Sequence, residues 1–168
     1  ATSDWRAHGL TSNCAFGGRP RQAGDLNGDG YGDVLVSAPN WEVPPYTQGY
    51  VEAFHGGPSG PAPVSNSFLT LAASTYASYA SLTFGSGLGG AADFDGDGYS
   101  DAAVGAPHAE ISHSRYSGWV GVYRGAEAGL PASADWQLST ISLLVYKGAE
   151  VGAGDFDGDG FSDLVVYG

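Results

Sequence analysis

The chain repeats itself, and the repeat limits what it can fold into. A nine-residue window of the form Asp-x-Asp/Asn-x-Asp-Gly-x-x-Asp starts at Asp25, at Asp93 and again at Asp155, so the periods are 68 and 62 residues. The likeness runs beyond the windows. Phe16-Gly17 precedes the first by nine residues, and Phe84-Gly85 precedes the second by the same nine. Four residues past the last aspartate stand Ser37-Ala38-Pro39 and Gly105-Ala106-Pro107. Further on, Gly49-Tyr-Val-Glu-Ala-Phe54 matches Gly118-Trp-Val-Gly-Val-Tyr123, and Ser3-Asp4-Trp5-Arg6 echoes Ala134-Asp135-Trp136-Gln137. A unit of this kind cannot bury its apolar face alone and must stack on its neighbours.

Within a unit the pattern is that of short strands between turn residues, with no stretch of helical period. A first strand (Gly87 to Ala92) runs into the acidic window. The second follows it directly, in the apolar runs Val34–Val36, Ala102–Val104 and Leu164–Val166, as expected for strands covered on both faces. The third alternates in Trp119–Tyr123, and a weaker, polar fourth lies around Trp136. The 28 glycines and 12% aromatics suit such a turn-rich β protein. The expected fold is all-β, built of β-propeller blades of four antiparallel strands, as a partial propeller of about two and a half blades. Residues 1–168 read as one domain: a trailing outer strand at 1–12, repeats at 13–75 and 76–140, and a truncated third repeat at 141–168.

The Phe-Gly pair, the Asp-rich window and the Gly-Ala-Pro, in that order, resemble the FG-GAP repeat of integrin α-subunit β-propellers and their bacterial relatives. The resemblance covers nearly the whole chain. It implies that the window joins the first and second strands of a blade and binds calcium. The third unit departs from the pattern: Tyr146-Lys147 takes the Phe-Gly position and Tyr167-Gly168 stands where Gly-Ala is expected.

Charge points the same way. The net charge is −12, and of 18 acidic residues 11 lie in the three windows. Carboxylates crowded in this way repel one another unless a cation sits among them. Calcium takes six to eight oxygens, which alternate side chains in a tight loop can supply. In the second window Asp93, Asp95, Asp97 and Asp101 and the carbonyl of Tyr99 are the candidate ligands. Their counterparts in the third are Asp155, Asp157, Asp159, Asp163 and the Phe161 carbonyl. In the first they are Asp25, Asn27, Asp29, Asp33 and the Tyr31 carbonyl. Asn27 offers an oxygen without charge, so the first of the three Ca2+ sites is expected to be the weakest. An EF-hand needs a glutamate at position 12, where Val36, Val104 and Val166 stand instead. Magnesium suits the loops less well, since it prefers octahedral geometry and keeps several waters. The ions' expected role is structural: they fix the hairpin turn and hold the register between the first two strands.

Other features are weaker. Gly85-Ser-Gly-Leu-Gly-Gly90 fits the dinucleotide pattern G-x-G-x-x-G, but leads into a strand where that motif needs a helix. His8, His55, His108 and His113 lack metal-ligand spacing; His108 and His113 read as exposed loop residues, with Glu110 nearby as a lone candidate acid. Trp41 and Tyr46 fall in an irregular Pro-rich connection. There they either pack on their own blade or form a platform for a sugar or another ligand. The single Cys14 cannot form an internal disulfide and reads as a small buried hydrophobe. No apolar run is long enough to span a bilayer, no leader is evident, and no basic patch suits nucleic acid.

The sequence thus suggests a secreted, calcium-stabilised, non-catalytic propeller module for protein or extracellular-matrix binding or for self-assembly. The alternative is a carbohydrate-binding propeller module of a secreted enzyme. Two and a half blades do not close a ring, so head-to-tail association of copies, or the remainder of a larger propeller, is expected to complete it.

Overall fold

Glycine-rich, β-branched segments bounded by turns pair locally into hairpins, and that is how this chain is built. The computed structural model describes residues 5–44, 46–71, 81–110, 117–139 and 146–168. Twelve strands are formed among them, and no helix. Strands β1 (Pro20–Gly24), β2 (Asp33–Ala38), β5 (Tyr50–Phe54) and β6 (Ser67–Leu69) make one antiparallel sheet in that order. Strands β7 (Gly87–Ala92), β8 (Asp101–Ala106), β9 (Trp119–Tyr123) and β10 (Trp136–Ser139) make a second of the same design. Strands β11 (Glu150–Gly154) and β12 (Asp163–Tyr167) form a third, two-stranded sheet. These are two complete blades and half of another, an all-β partial propeller.

The blades stack through their apolar faces. β7 lies against β1 on one side and β11 on the other. Between the first two blades, Leu26, Leu35, Val51, Ala53 and Leu69 meet Phe84, Leu88, Val104, Trp119 and Tyr123 in one buried cluster. Phe84 is fully buried there, 5.9 Å from the Trp119 ring and 6.5 Å from that of Tyr123. Every residue of β8 is buried, as its continuous apolar run predicts; every residue of β9 is buried as well, although its sequence reads as alternating, because blades pack on both of its faces. Between the second and third blades Ala103, Val120 and Val122 pack on Val151, Leu164 and Val166.

The repeated sequence pairs have a common role. The amide of Gly17 donates to the carbonyl of Ser37 at 3.1 Å, and that of Gly85 to Gly105 at 2.9 Å. The Phe-Gly pair and the Ser/Gly-Ala-Pro segment are therefore two ends of one backbone contact within each of the two complete blades. Gly85, at φ +88°, sits so close to the first blade that a methyl there would be 2.9 Å from Val51 Cγ2.

Several expectations change. In the third unit the Phe-Gly place belongs to Lys147-Gly148. The turns Ala15–Gly18, Thr83–Ser86 and Tyr146–Ala149 superpose by hydrogen bond and by left-handed φ at Gly17, Gly85 and Gly148. The one-residue offset has a cause. β1 and β7 each carry a bulge before the acidic loop, whereas β11 pairs with β12 in unbroken register. The expected outer strand at 1–12 is also different: Trp5 and Arg6 are not in a strand. A fourth strand needs a third to pair with, and none precedes it among the described residues. Instead Trp5 stands edge-on to Phe54, 5.1 Å away, and its indole N–H donates to the Ala62 carbonyl at 2.9 Å. Ser3 and Asp4 lie outside the described residues.

The Pro-rich connection is not irregular throughout, since β3 (Glu42–Val43) and β4 (Tyr46–Thr47) form a small hairpin. Trp41 is half-buried and edge-on to Tyr50 and Phe68, at 5.4 and 6.0 Å. It packs on its own blade. Cys14 is free and buried beneath Phe16, Tyr50 and Ala38, its thiol donating to the Thr11 carbonyl.

Candidate metal centre

Each acidic window is the turn between the first and second strands of a blade: β1–β2, β7–β8 and β11–β12. The loop's own aspartates fold it. In the second loop Asp93 accepts the amides of Gly96, Asp97 and Gly98, at 2.7, 3.2 and 3.0 Å. Asp95 accepts the Asp97 amide and Asp97 that of Tyr99. The third loop repeats this, with Gly158 and Gly160 on Asp155, Asp159 on Asp157, and Phe161 on Asp159. In the first, Asp29 and Gly30 donate to Asp25, Asp29 to Asn27 Oδ1, and Tyr31 to Asp29. The glycines at the fourth and sixth positions of each loop take positive φ, as a turn this tight requires.

The ninth residue closes the hairpin. Asp33 accepts the Leu26 amide on one oxygen and the Gly56 amide on the other, at 2.8 and 2.7 Å. Asp101 does the same with Phe94 and Gly125, both at 2.8 Å. Both carboxylates are buried. Burial pushes the Asp101 carboxyl above its ordinary range, opposed by these two amides, while neighbouring Asp95 and Asp93 raise it further. Among the described residues Asp163 keeps only the first of these contacts, from Phe156 at 2.9 Å.

The donor set suits a hard cation. One oxygen from each of Asp93, Asp95 and Asp101 lies within 4.8 Å of the others, and so does one from each of Asp155, Asp157 and Asp159. Two oxygens each about 2.4 Å from one calcium ion are at most about 4.8 Å apart. No such trio of acidic side chains is found in the first loop, where Asn27 replaces one carboxylate. There the Asn27 amide donates to Asp29 at 3.0 Å, and that bond, with the Tyr31 amide, holds the Asp29 carboxyl below its ordinary value.

Comparison with known proteins agrees with this geometry. The FG-GAP repeat family matches residues 22–51, and the FG-GAP-like repeat family matches residues 93–166. The chain belongs to the FG-GAP repeat family. It is 37% identical over 145 residues to the phosphatidylinositol-glycan-specific phospholipase D of Rattus norvegicus, covering 84% of this chain and 17% of that protein. To integrin alpha-PS2 of Drosophila melanogaster it is 38% identical over 105 residues, 62% of this chain and 7% of the integrin. Integrin alpha-4 of Xenopus laevis is 30% identical over 148 residues, 86% of this chain and 13% of its own length. The chain therefore spans less than a fifth of the curated relatives it matches.

The FG-GAP units also place side chains at the loops that spacing alone did not single out. Arg124, the residue after the last aromatic of β9, pairs with Asp95 at 3.1 Å. His55, at the same place after β5, has its Nδ1 3.2 Å from the Asn27 amide nitrogen. The signal was present in the aligned Phe54-His55-Gly56 and Tyr123-Arg124-Gly125, whose glycines supply the amides to Asp33 and Asp101. Ser100 and Ser162 likewise reach the preceding loop.

Among the described residues, the remaining candidates are placed as follows. His108 is half-buried rather than exposed, with Nδ1 3.1 Å from the Thr83 hydroxyl and its ring edge-on to Tyr146, and burial lowers its pKa. His113 lies outside the described residues. Glu110 is buried. Gly85–Gly90 leads into β7, a strand. No helix among the described residues is long and apolar enough to cross a membrane.

Proposed function

We propose that this FG-GAP module is an extracellular, calcium-stabilised, non-catalytic platform for binding a protein of the cell surface or matrix. The calcium reading is supported above all by two hairpin turns whose acidic oxygens converge, and by a third turn of the same hydrogen-bonded design at the same place in a repeated blade. The ions gather repelling carboxylates and hold the first two strands of a blade in register. Weak structural sites of this kind fill at millimolar calcium, as outside cells. The binding reading draws support from the likeness to the integrin alpha chains.

Calorimetric titration with calcium, together with thermal melts with and without excess EGTA, tests the metal part. Up to three ions and a marked fall in melting temperature on chelation are expected; an unchanged melt refutes it. Calcium-dependent capture on immobilised matrix proteins, with no capture on a glycan array, tests the binding part. Head-to-tail association, or the rest of a larger propeller, would cover the open face of β12; sedimentation with calcium separates a monomer from an assembly.

A second reading has its own support. The longer matches include proteins named as phospholipases D, of which this chain covers 17%. A module carried beside a hydrolase and serving to bring it to a glycan fits that likeness. Glycan-array binding without matrix capture favours it. Trp41 is not a ready platform for such a ligand, because its ring is engaged with Tyr50 and Phe68.

A further inference from the structure

The three loops are physically joined to one another. Ser100, the eighth residue of the second loop, donates its amide to the Asp25 carbonyl at 2.8 Å and accepts the Asp25 amide on its hydroxyl at 3.1 Å. One blade further on, Ser162 donates to the Asp93 carbonyl at 2.8 Å and accepts the Asp93 amide at 3.0 Å. The preceding residue adds a second grip. The Tyr99 ring lies over Gly28 of the first loop and the Phe161 ring over Gly96 of the second. A methyl on either glycine would come within 2.7 and 2.6 Å of the ring. The backbones of positions 1 and 4 of one loop are thus held by positions 8 and 7 of the next, twice over. The first loop has Gly32 at position 8, with no hydroxyl to offer.

We propose that the loops take up calcium as a coupled row, Ser100 and Tyr99 linking the second loop to the first, Ser162 and Phe161 linking the third to the second. This rests on the calcium reading of the loops. Positions 7 and 8 lie between the candidate ligands at 5 and 9, so an ion in one loop fixes both. Once fixed, they hold the residue that carries the first ligand of the preceding loop. The ordering entropy of that loop is then partly met before its own ion arrives, which makes the uptake cooperative. The effect is reciprocal between neighbours, as any binding coupling must be. Charge acts in the opposite sense, because an empty acidic neighbour attracts a cation more than a filled one does. That opposition weakens with salt, while the direct contacts do not.

Calcium titration of the whole chain, followed by proton–nitrogen NMR in about 0.15 M salt, tests this loop by loop. The amides of Gly30, Gly98 and Gly160 each donate to the first carboxylate of their own loop and so report it separately. Asp97→Ala, which disables the second loop, should weaken filling of the first by about fivefold or more. Ser100→Ala should leave the second loop able to fill and weaken the first by about fivefold, the worth of one hydrogen bond. Tyr99→Leu probes the same junction without touching the hydroxyl, and carries the test if Ser100→Ala fails to fold. Ser162→Ala should weaken the second loop. First-loop affinity unchanged in Asp97→Ala, and in whichever junction variants fold, overturns the coupling while leaving the calcium reading intact. If none of the three glycine amides responds to calcium, both fall together.

Discussion

The second and third loops are the same sequence but for one residue: Asp-Phe-Asp-Gly-Asp-Gly-Tyr-Ser-Asp against Asp-Phe-Asp-Gly-Asp-Gly-Phe-Ser-Asp. Their internal hydrogen bonds agree almost bond for bond. Their surroundings do not. Asp101 is buried with both oxygens held, and Phe94 packs between blades. Asp163 is half-buried, and Phe156 is 65% exposed. The difference comes from β9 and the turn after it, which bring Gly125 and Arg124 to the second loop; among the described residues no third strand pairs with β12. A loop's conformation is local, whereas the desolvation of its carboxylates is set by what stacks on it.

The sharpest way to break this comparison is at the blade faces. Trp119→Ala empties the centre of the closed interface and should cost about 3–5 kcal/mol in urea unfolding. Val165→Ala, on the 51% exposed face of β12, should stay within about 0.5 kcal/mol of the parent. Similar costs for both would mean that the third blade is covered in solution.

The ninth aspartates come next. Without calcium, Asp101→Ala leaves the buried Gly125 amide and the Phe94 amide without acceptors and should cost about 3 kcal/mol. Asp163→Ala removes one exposed bond and should cost about 1 kcal/mol. Equal losses would show that the local turn, not the stacked blade, sets the energetics.

Arg124→Ala separates the loops more finely. Its ion pair with Asp95 is partly exposed to solvent and worth about 1 kcal/mol to the metal-free fold. Removing a cation beside the second loop should raise that loop's calcium affinity by more than that of the third, which has no such cation among the described residues, as calorimetry can follow.

The smallest expected effect is a control on the opposite face of the first blade. Burial pushes Glu52 above its ordinary 4.5, with the Ser65 hydroxyl bond pulling back. The folded chain therefore holds this proton more tightly than the unfolded one. That stabilisation is present at low pH and is lost as pH rises through the raised pKa. Glu52→Gln should remove this fall, a change under about 1 kcal/mol once solvent screening is allowed for, while leaving calcium binding at all loops as it was.

Much of this protein was legible as sequence because its information is local and repeated. The Asp-x-Asp-x-Asp-Gly spacing dictates its own turn, since each side chain bonds an amide only two to five residues away. The apolar runs at Val34, Ala102 and Leu164 mark second strands, and Trp119 and Tyr123 mark the interface. At the Phe-Gly place of the third unit, local spacing misled by a single backbone residue. The bulges in β1 and β7 add a residue that β11 lacks, which shifts Lys147-Gly148 into the Phe-Gly place.

What only the tertiary structure decided lies in contacts between distant segments. Nothing in the text of the chain puts Ser100 on Asp25, Arg124 on Asp95 or Trp5 on Phe54, because these partners are 75, 29 and 49 residues apart and meet only once strands have paired into a blade or blades have stacked. Stacking also decides that two nearly identical loops differ in exposure. Sequence determined the fold of each turn through short-range hydrogen bonds; the burial of its charges depends on long-range packing, which no short window of sequence contains.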